Sequence, residues 1–379
     1  MAVAAPPPRR APPDGGPSGP VRARVLKGLV LSGGTGSRLR PFTYTGAKQL
    51  VPVANKPILF YAIEDLVRTG VRDIGVIVGD TRDEVMAAVG DGSRFGARVS
   101  YIHQERPLGI AQTIILARDF LAGDPFILYL GDNFLPEGIA EHARRFRGDS
   151  MNCQVLLAAV PNPGDFGVAD VEDGRLLRVV EKPRDPPSDL AVIGIYMFDS
   201  AVLEAVQAIE PSARGELEIT DAIQYLLDHG ADVRAEVVRG PWIDTGKMDD
   251  ILLANRLALE RLEPAVRGFP DSASRLEGRV VLEEGSRVEN SLVRGPAIIG
   301  CDTRIVDSYV GPFTSVYHHC LIERSEVAGS VVLENTSICG MERRIEDSLI
   351  GRNVRVRGER CKPRTYRLVL GDFSQVDVP

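Results

Sequence analysis

The sequence lacks the features that would place the protein in a membrane or on a nucleic acid. No apolar run approaches the roughly 20 residues that a membrane-spanning helix needs. Basic residues are not in excess, because the formal net charge is −7, so neither a nucleic acid nor a membrane is expected as a partner. An apolar fraction of 44% and a charged fraction of 26% are those of an ordinary soluble protein.

Cysteine is scarce and scattered. Five cysteines occur in 379 residues, without a CxxC pair or the spacing of Cys/His metal ligands. We expect reduced thiols in a cytoplasmic protein, since disulfides persist mainly in oxidising compartments. The five are Cys153, Cys301, Cys320, Cys339 and Cys361.

The length of the chain predicts two domains with separate cores. Residues 1–24 are rich in alanine, proline, arginine and glycine and lack the apolar centre of a signal peptide, so a disordered extension is expected. The other predicted segments are a first domain at 25–262, a linker at 263–275, a second domain at 276–360 and a C-terminal tail at 361–379.

A glycine-rich segment after an apolar strand stands out near the start. Residues 29–31 are short and apolar, as a buried strand requires, and glycines follow directly. Glycine lets backbone N–H groups close on an anion, although glycines alone are equally typical of a turn. Arg38 and Lys48 add two cations, which favours a phosphate site, while Walker A is excluded because no Gly-Lys-Ser/Thr closes the loop. The glycines are Gly33, Gly34 and Gly36.

Strand and helix alternate over residues 25–150, which indicates parallel strands joined by right-handed crossovers. The first domain is therefore predicted to be α/β and Rossmann-like, with a mostly parallel sheet. Its site is expected at the C-terminal ends of the strands. Strands are predicted at 29–31, 74–78, 98–102 and 126–130, and helices at 59–67, 83–89 and 110–121.

Two carboxylates follow apolar runs. Asp132 comes just after the strand at 126–130, and Asp244 occupies a similar place after Ile243. Aspartate is also common as a turn former. Two carboxylates together with phosphate oxygens suit Mg²⁺, which prefers oxygen ligands in octahedral geometry. Asp132 and Asp244 are therefore candidate metal ligands.

Charged residues further along can recognise a phosphorylated sugar. Glu181 can accept hydrogen bonds from hydroxyl groups, and Lys182 can hold a phosphate. Gly167 allows a close approach of the backbone. Arg214 lies ahead of a predicted helix, where its side chain can reach a phosphate. Taken alone, the Glu-Lys pair is more typical of an exposed strand edge.

These segments together resemble sugar-1-phosphate nucleotidyltransferases, in the order and spacing of the glucose-1-phosphate thymidylyltransferases. The resemblance covers about residues 26–260. Besides the glycine-rich loop it rests on Lys48-Gln49-Leu50, Gly131-Asp132-Asn133, Glu181-Lys182-Pro183, 212–221 and Trp242-Ile243-Asp244-Thr245-Gly246. One departure is Phe166, which stands where the family frequently has tyrosine.

The resemblance implies an enzyme that joins glucose 1-phosphate to dTTP with Mg²⁺, giving dTDP-glucose and pyrophosphate for deoxysugar and antibiotic biosynthesis. It also implies a homo-oligomer. The implied catalytic residues are Arg38, Lys48, Asp132 and Lys182, with Asp132 and Asp244 as metal ligands. The implied nucleotide-binding residues are Leu31, Gly33, Gly34, Gly36, Arg38, Lys48, Gln104, Gly109 and Asp132. The implied sugar-phosphate-binding residues are Gly167, Glu181, Lys182, Val192, Arg214 and Asp244.

Three alternatives stay open from the sequence. The base or the sugar can differ, as in a UTP- or ATP-using pyrophosphorylase, because Gln104 is only suggestive of thymine. The second domain can add an acyltransferase activity. A non-catalytic regulatory subunit is the third alternative, although such proteins typically lack the loop arginine or the metal carboxylates.

The second domain has a period of its own. Aliphatic residues recur every 17 residues in three columns, as in a triangular coil with one inward side chain on each side. The region resembles a left-handed parallel β-helix of about four or five coils, whereas a sandwich would alternate with period two. His318 and His319 are interpreted as exposed corner residues rather than acyltransferase bases. The columns are Leu282, Ile299, Val316, Leu333 and Ile350; Val288, Ile305, Ile322, Cys339 and Val356; and Val293, Val310 and Val327.

Overall fold

The computed structural model describes residues 25–34, 36, 39–40, 42, 46–149, 151–172, 175–358 and 373–376. The predicted extension 1–24 and Arg38 lie outside these residues, as does most of the predicted tail. Among the described helices, none is long and apolar enough to cross a membrane.

The first domain is an α/β unit organised around a nine-stranded sheet. Its strands are β1 (Lys27–Ser32), β2 (Pro52–Val53), β3 (Lys56–Pro57), β4 (Asp73–Val78), β5 (Arg98–His103), β6 (Phe126–Leu130), β7 (Asn133–Phe134), β8 (Cys153–Ala159), β9 (Gly167–Glu172), β10 (Arg175–Glu181), β11 (Leu190–Phe198), β12 (Val233–Val237) and β13 (Ile243–Asp244). Its helices are α1 (Ile58–Arg68), α2 (Arg82–Val89), α3 (Ile110–Leu116), α4 (Arg118–Leu121), α5 (Ala140–Gly148), α6 (Val202–Ala208), α7 (Ile219–Asp228) and α8 (Met248–Leu259).

The first half of the sheet confirms the predicted parallel arrangement. Strand β1 lies between β4 and β6, and β5 follows β4, all in parallel. Leu29 and Val30, neighbours in β1, belong to different apolar clusters because successive side chains point to opposite faces. The predicted helix 110–121 is instead two short helices, α3 and α4, which meet at Ala117.

The second half of the sheet is mainly antiparallel, although β12 pairs with β8 in parallel. Strand β11 runs antiparallel to β6, β8 and β9, and β10 runs antiparallel to β9. Only two residues separate β9 from β10, and so short a connection can join only antiparallel strands. The predicted parallel arrangement therefore applies to β1, β4, β5 and β6 and to the pair of β8 with β12, within a sheet that is mixed as a whole.

The second domain is the predicted left-handed parallel β-helix. Three stacked parallel sheets of six, six and five strands form its sides. The strands are β14 (Ala265–Val266), β15 (Phe269–Pro270), β16 (Arg275–Glu277), β17 (Val280–Leu282), β18 (Arg287–Glu289), β19 (Leu292–Arg294), β20 (Ala297–Ile299), β21 (Arg304–Val306), β22 (Tyr309–Val310), β23 (Thr314–Val316), β24 (Leu321–Glu323), β25 (Glu326–Ala328), β26 (Val331–Val332), β27 (Ser337–Cys339), β28 (Ile345–Glu346), β29 (Leu349–Ile350) and β30 (Arg355–Arg357).

Two members of the predicted apolar columns are wrong. Val332 occupies the inward position that was assigned to Leu333. Ile338 likewise takes the place of Cys339. Val316 and Val332 are 16 residues apart, and Val332 and Ile350 are 18 apart. The second column changes in the same way, so the 17-residue spacing is lost at one coil and recovered at the next.

The predicted linker at 263–275 is also corrected, because it contributes the first coil. Strand β14 pairs with β17 and β15 pairs with β18, both in parallel. Pro270 stands opposite Val288 and takes the inward position of β15, so no aliphatic residue marks that side of the coil. Leu276 in β16 stands opposite Val293 and packs against the core of the β-helix. The β-helix thus begins almost directly after α8.

A buried asparagine joins the two domains. Asn255 in α8 is fully buried and its side-chain oxygen accepts hydrogen bonds from Ala54 N at 2.9 Å and Ser315 Oγ at 2.6 Å. Its side-chain nitrogen donates to Phe313 O at 3.1 Å. Leu333 packs in an apolar cluster with residues of α8 in the same region. The β-helix is therefore fixed against the first domain through α8.

Asp65 in α1 makes the stability of the first domain depend on pH. Its carboxyl group is buried, and burial raises its pKa from 3.8 to about 6 although Arg68 lies 2.6 Å away. A carboxyl group whose pKa rises on folding binds more protons in the folded state. Its contribution to the free energy of unfolding is therefore lost as the pH rises from 3.8 to about 6. The shift of the Asp65 pKa from 3.8 to about 6 corresponds to about 3 kcal/mol in the free energy of unfolding.

Replacing Asp65 by asparagine should remove this dependence. We expect the free energy of unfolding of Asp65→Asn, relative to the unmodified protein, to increase by up to about 3 kcal/mol between pH 4 and pH 7. Urea unfolding at several pH values measures this difference, with Asp149→Asn at an exposed site as the control. A difference that does not change with pH would contradict the assignment.

Candidate functional site

The glycine-rich loop lies at the C-terminal ends of β1 and β6, as predicted. Gly131, which follows β6, donates its N–H to Leu31 O at 2.9 Å, so the two strands stay together up to the loop. A Cβ atom on Gly33 would lie 3.0 Å from Gln104 Oε1, and one on Gly34 would lie 3.4 Å from Gln49 Nε2. Larger residues at these two positions would therefore crowd the polar side chains around the loop.

Lys48 is held between the two predicted metal carboxylates. Its ammonium nitrogen lies 2.6 Å from Asp132 Oδ2 and 3.7 Å from Asp244 Oδ1. Lys48 is only 7% exposed, so the charge is largely removed from water and depends on these partners. The geometry brings together three residues that were predicted from separate segments.

A two-stranded ribbon places the second carboxylate beside the first. Strands β7 and β13 are antiparallel, with Asp244 opposite Asn133. Thr245 donates to Asp132 O from its N–H at 3.1 Å and from its hydroxyl group at 2.7 Å. Two oxygen donors that converge on one cation fit a divalent metal ion that prefers oxygen ligands, and Asp132 and Asp244 are the residues that would hold it.

Asn133 and Trp242 support this ribbon, and the sequence motifs that contain them had suggested no role for either side chain. Asn133 donates to Asp132 Oδ1 at 3.2 Å and accepts from the Trp242 indole at 2.5 Å. The Trp242 ring also packs edge-on against Phe166, with 5.4 Å between centroids. Phe166 thus has a packing role that needs no hydroxyl group.

Several residues predicted to bind the sugar lie together around Glu181 at the end of β10. Gly167 pairs with Glu181 across β9 and β10. A Cβ atom on Gly167 would lie 2.8 Å from Thr220 Cγ2, 3.3 Å from Glu181 Oε2 and 3.7 Å from Val192 Cβ. Thr220 donates to Glu181 Oε2 at 3.3 Å. Burial, followed by the Glu218 carboxylate, raises the pKa of Glu181, and nearby cations oppose this effect.

Arg214 is surrounded by carboxylates. Its Nη2 lies 2.8 Å from Glu218 Oε2, 3.2 Å from Glu181 Oε1 and 3.5 Å from Glu216 Oε2. Glu218 is buried and also accepts from the Ser212 hydroxyl group at 2.7 Å. The guanidinium is therefore oriented by its own segment and remains 39% exposed, so it can meet an anionic substrate.

Lys182 projects from a constrained point of the backbone. Its φ angle is +41°, and its N–H donates to Phe166 O at 2.9 Å. The side chain is exposed beside Glu181. The positive φ angle breaks the extended backbone at the end of β10, and an exposed lysine at this point is accessible to a ligand.

The predicted base-reading segment is tied to the sugar segment. Leu217 donates to Leu108 O at 2.8 Å and accepts from Ala111 N at 3.1 Å. A Cβ atom on Gly109 would lie only 2.3 Å from Leu217 O. Gly109 thus permits a close contact between the two segments.

The histidines of the β-helix have structural surroundings. Cys301 N donates to His318 Nδ1 at 2.9 Å, and Glu283 Oε2 lies 3.4 Å from the same nitrogen. His319 is largely exposed, with Asp302 at 3.8 Å. A ring nitrogen that already accepts a backbone N–H is a poor general base, which agrees with the interpretation of His318 as a corner residue.

An enzyme that joins a phosphate anion to a nucleoside triphosphate needs charge neutralisation and recognition of hydroxyl groups. Lys48 with Asp132 and Asp244 can supply the first, and Glu181 can supply the second. The fold and the site therefore define a nucleotidyltransferase. Arg38, the remaining predicted catalytic residue, lies outside the described part of the chain and stays a prediction.

Comparison with known proteins agrees with this class. The model of the nucleotidyl transferase family matches residues 27–261. A glucose-1-phosphate thymidylyltransferase of Streptomyces griseus is 54% identical over 354 residues, covering 93% of this chain and 99% of the relative. Another from Streptomyces antibioticus is 52% identical over 355 residues, with the same coverage.

A solved structure supports the first domain separately. The crystal structure of a Bacillus anthracis protein named as a glucose-1-phosphate thymidylyltransferase, in complex with a sucrose, superposes with a TM-score of 0.60 at 36% identity. The match covers 64% of this chain and 98% of that chain. The chain thus belongs to the nucleotidyl transferase family, in the group of the glucose-1-phosphate thymidylyltransferases.

Proposed function

We propose that this protein joins glucose 1-phosphate to dTTP and releases dTDP-glucose and pyrophosphate. The observation that carries the proposal is the convergence of Lys48, Asp132 and Asp244 at the ends of the strands. The chain that holds them is 54% identical to a glucose-1-phosphate thymidylyltransferase over nearly its full length. The product would serve deoxysugar and antibiotic biosynthesis, in a cytoplasmic homo-oligomer.

The proposed reaction is a direct displacement at the α-phosphorus of dTTP. A phosphate oxygen of glucose 1-phosphate forms the new P–O bond, and the bond to the β-phosphate breaks with its electron pair leaving on pyrophosphate. The attacking group is already an anion, so no general base is required. Positioning and charge neutralisation therefore supply the rate enhancement.

Cationic side chains of this chain would perform most of that work. Lys48 and Arg38 hold the triphosphate, and Arg38 also stabilises the departing pyrophosphate. Lys182 and Arg214 together align the attacking phosphate. Asp132 and Asp244 would hold the metal ion, in our proposal Mg²⁺, which when bound offsets the negative charge of the phosphate oxygens.

The remaining predicted residues define the two substrate pockets of the proposal. The backbone of Leu31, Gly33, Gly34 and Gly36 would approach the nucleotide, and Gln104 and Gly109 would meet the edge of the base. Gly167, Glu181 and Val192 would form the wall around the glucose ring, with the Glu181 carboxylate accepting from its hydroxyl groups.

Release of pyrophosphate tests the proposal directly. The purified protein is supplied with Mg²⁺ and glucose 1-phosphate, and dTTP, UTP, ATP, GTP and CTP are compared in parallel. We expect dTTP to give the highest kcat/KM and a chelator to abolish turnover. Preference for another nucleotide would keep the reaction and overturn the base, whereas no release with any nucleotide would overturn the proposed reaction.

A further inference from the structure

A hydrogen-bonded pair of glutamines lies beside the glycine-rich loop. Gln104 is 8% exposed, and its Nε2 donates to Gln112 Oε1 at 2.8 Å. The same oxygen of Gln112, which lies in α3, accepts from the backbone N–H of Leu108 at 3.1 Å. Gln112 therefore connects the side chain of Gln104 to a fixed point of the backbone.

This connection determines which end of the Gln104 amide faces the loop. The two ends of a glutamine amide have nearly the same shape but opposite hydrogen-bonding character. The Leu108 N–H, which also donates to Arg106 O at 3.0 Å, can only donate, so Gln112 presents its oxygen to this group. Gln104 must then present its NH₂ group to that oxygen, which leaves Gln104 Oε1 on the other side.

The oxygen of Gln104 points toward the loop. A Cβ atom on Gly33 would lie 3.0 Å from Gln104 Oε1. Within the described part of the chain, no residue donates a hydrogen bond to this oxygen. An acceptor that faces the loop without a protein donor can accept from a ligand that brings an N–H group.

We infer that Gln112 is a positioning residue that sets base selection by fixing the acceptor orientation of Gln104. The inference rests on the proposed function, in which Gln104 meets the base. Thymine and uracil carry a donor at N3, whereas cytosine carries an acceptor at N3. The fixed oxygen of Gln104 thus accepts from N3–H of dTTP and repels the N3 lone pair of dCTP.

Removal of the Gln112 acceptor should weaken this selection. In Gln112→Met, a side chain of similar length no longer accepts from Gln104, so the Gln104 amide can rotate and offer its NH₂ group to cytosine. We expect the ratio of kcat/KM for dTTP to that for dCTP to fall by about tenfold or more. The KM of glucose 1-phosphate should stay within about twofold, because the sugar site is separate.

Two further variants separate positioning from a general loss of structure. Gln112→Glu keeps an oxygen acceptor for both Leu108 and Gln104, so it should restore the dTTP preference. Gln224→Met removes a comparable acceptor of a backbone N–H, that of Val179, from α7 and should leave the preference unchanged. Thermal unfolding is measured for each variant, and Gln112→Ala replaces the methionine variant if that protein does not fold.

The outcomes are distinguishable. A lower dTTP/dCTP ratio in Gln112→Met together with recovery in Gln112→Glu supports the inference. An unchanged ratio in a folded Gln112→Met, or equal losses with both nucleotides, overturns it while the proposed function stands. Absence of pyrophosphate release from dTTP in the unmodified protein overturns the proposed function and this inference with it.

Discussion

Asp132→Asn should lower kcat by about 10²–10³-fold while the KM for glucose 1-phosphate changes little. Asparagine keeps the size of the side chain and its capacity to accept from Asn133, but it removes the charge that faces Lys48 at 2.6 Å. In the proposed reaction, the Asp132 carboxylate would act on the reacting phosphates through Lys48 and the metal ion, and it would not meet the sugar hydroxyl groups. Steady-state kinetics with each substrate varied in turn measures both constants.

Stability must be followed in the same variant because Lys48 is buried. Removing one partner of a buried ion pair is destabilising by about 3–5 kcal/mol when no other partner remains. Asp244 at 3.7 Å still faces the ammonium, so a smaller loss is expected here. Asp149→Asn, on the exposed surface, serves as the matched control. Normal turnover with a raised KM for glucose 1-phosphate would overturn the role of Asp132.

Gly109→Ala should disrupt the site from the base side. Gly109 has φ +103° and ψ 164°, a backbone conformation that is essentially restricted to glycine and strained by about 1–3 kcal/mol for other residues. The added Cβ atom would lie 2.3 Å from Leu217 O and 2.6 Å from Leu217 N, so the backbone itself must move. We expect a loss of about 3 kcal/mol or more in the free energy of unfolding and at least about a tenfold rise in the KM of dTTP.

Gly123→Ala is a matched control for this substitution. Gly123 also has a positive φ angle, +76°, but a Cβ atom there would meet nothing within 4 Å. Its expected cost is about 1 kcal/mol, from the backbone conformation alone, with no change in the KM of dTTP. Equal losses of stability in both alanine variants would show that the contact with Leu217 does not limit this position.

Several parts of the fold could be predicted because their signals are local or periodic. An apolar strand that breaks into glycines is recognised from neighbouring residues, and the structure places Gly33 at the end of β1 as expected. The β-helix was predicted because each coil repeats the same inward side chain. The same method failed at Leu333 and Cys339, because a coil of 16 residues and a coil of 18 cancel in the average period.

Other features have no local signal. Glu218 and Gln112 are single polar residues at or near the starts of helices, where nothing distinguishes them from solvent-exposed positions. The structure shows Glu218 buried against Arg214 and Gln112 bonded to Gln104. The antiparallel half of the sheet was missed for a related reason, since the pairing partner of a strand is not written within the strand.

The sequence by itself determined the α/β order of the first domain, the coiled second domain and the residue types that we propose to meet phosphate, sugar and base. Only the tertiary structure decided how these residues face one another. Lys48 and Asp132 are 84 residues apart in the chain, and the pairing of β7 with β13 brings Asp244 to the same place. The orientation of the Gln104 amide likewise depends on Gln112 and Leu108. The physical reason is that hydrogen bonds and ion pairs between distant segments form only once the sheet has brought those segments together.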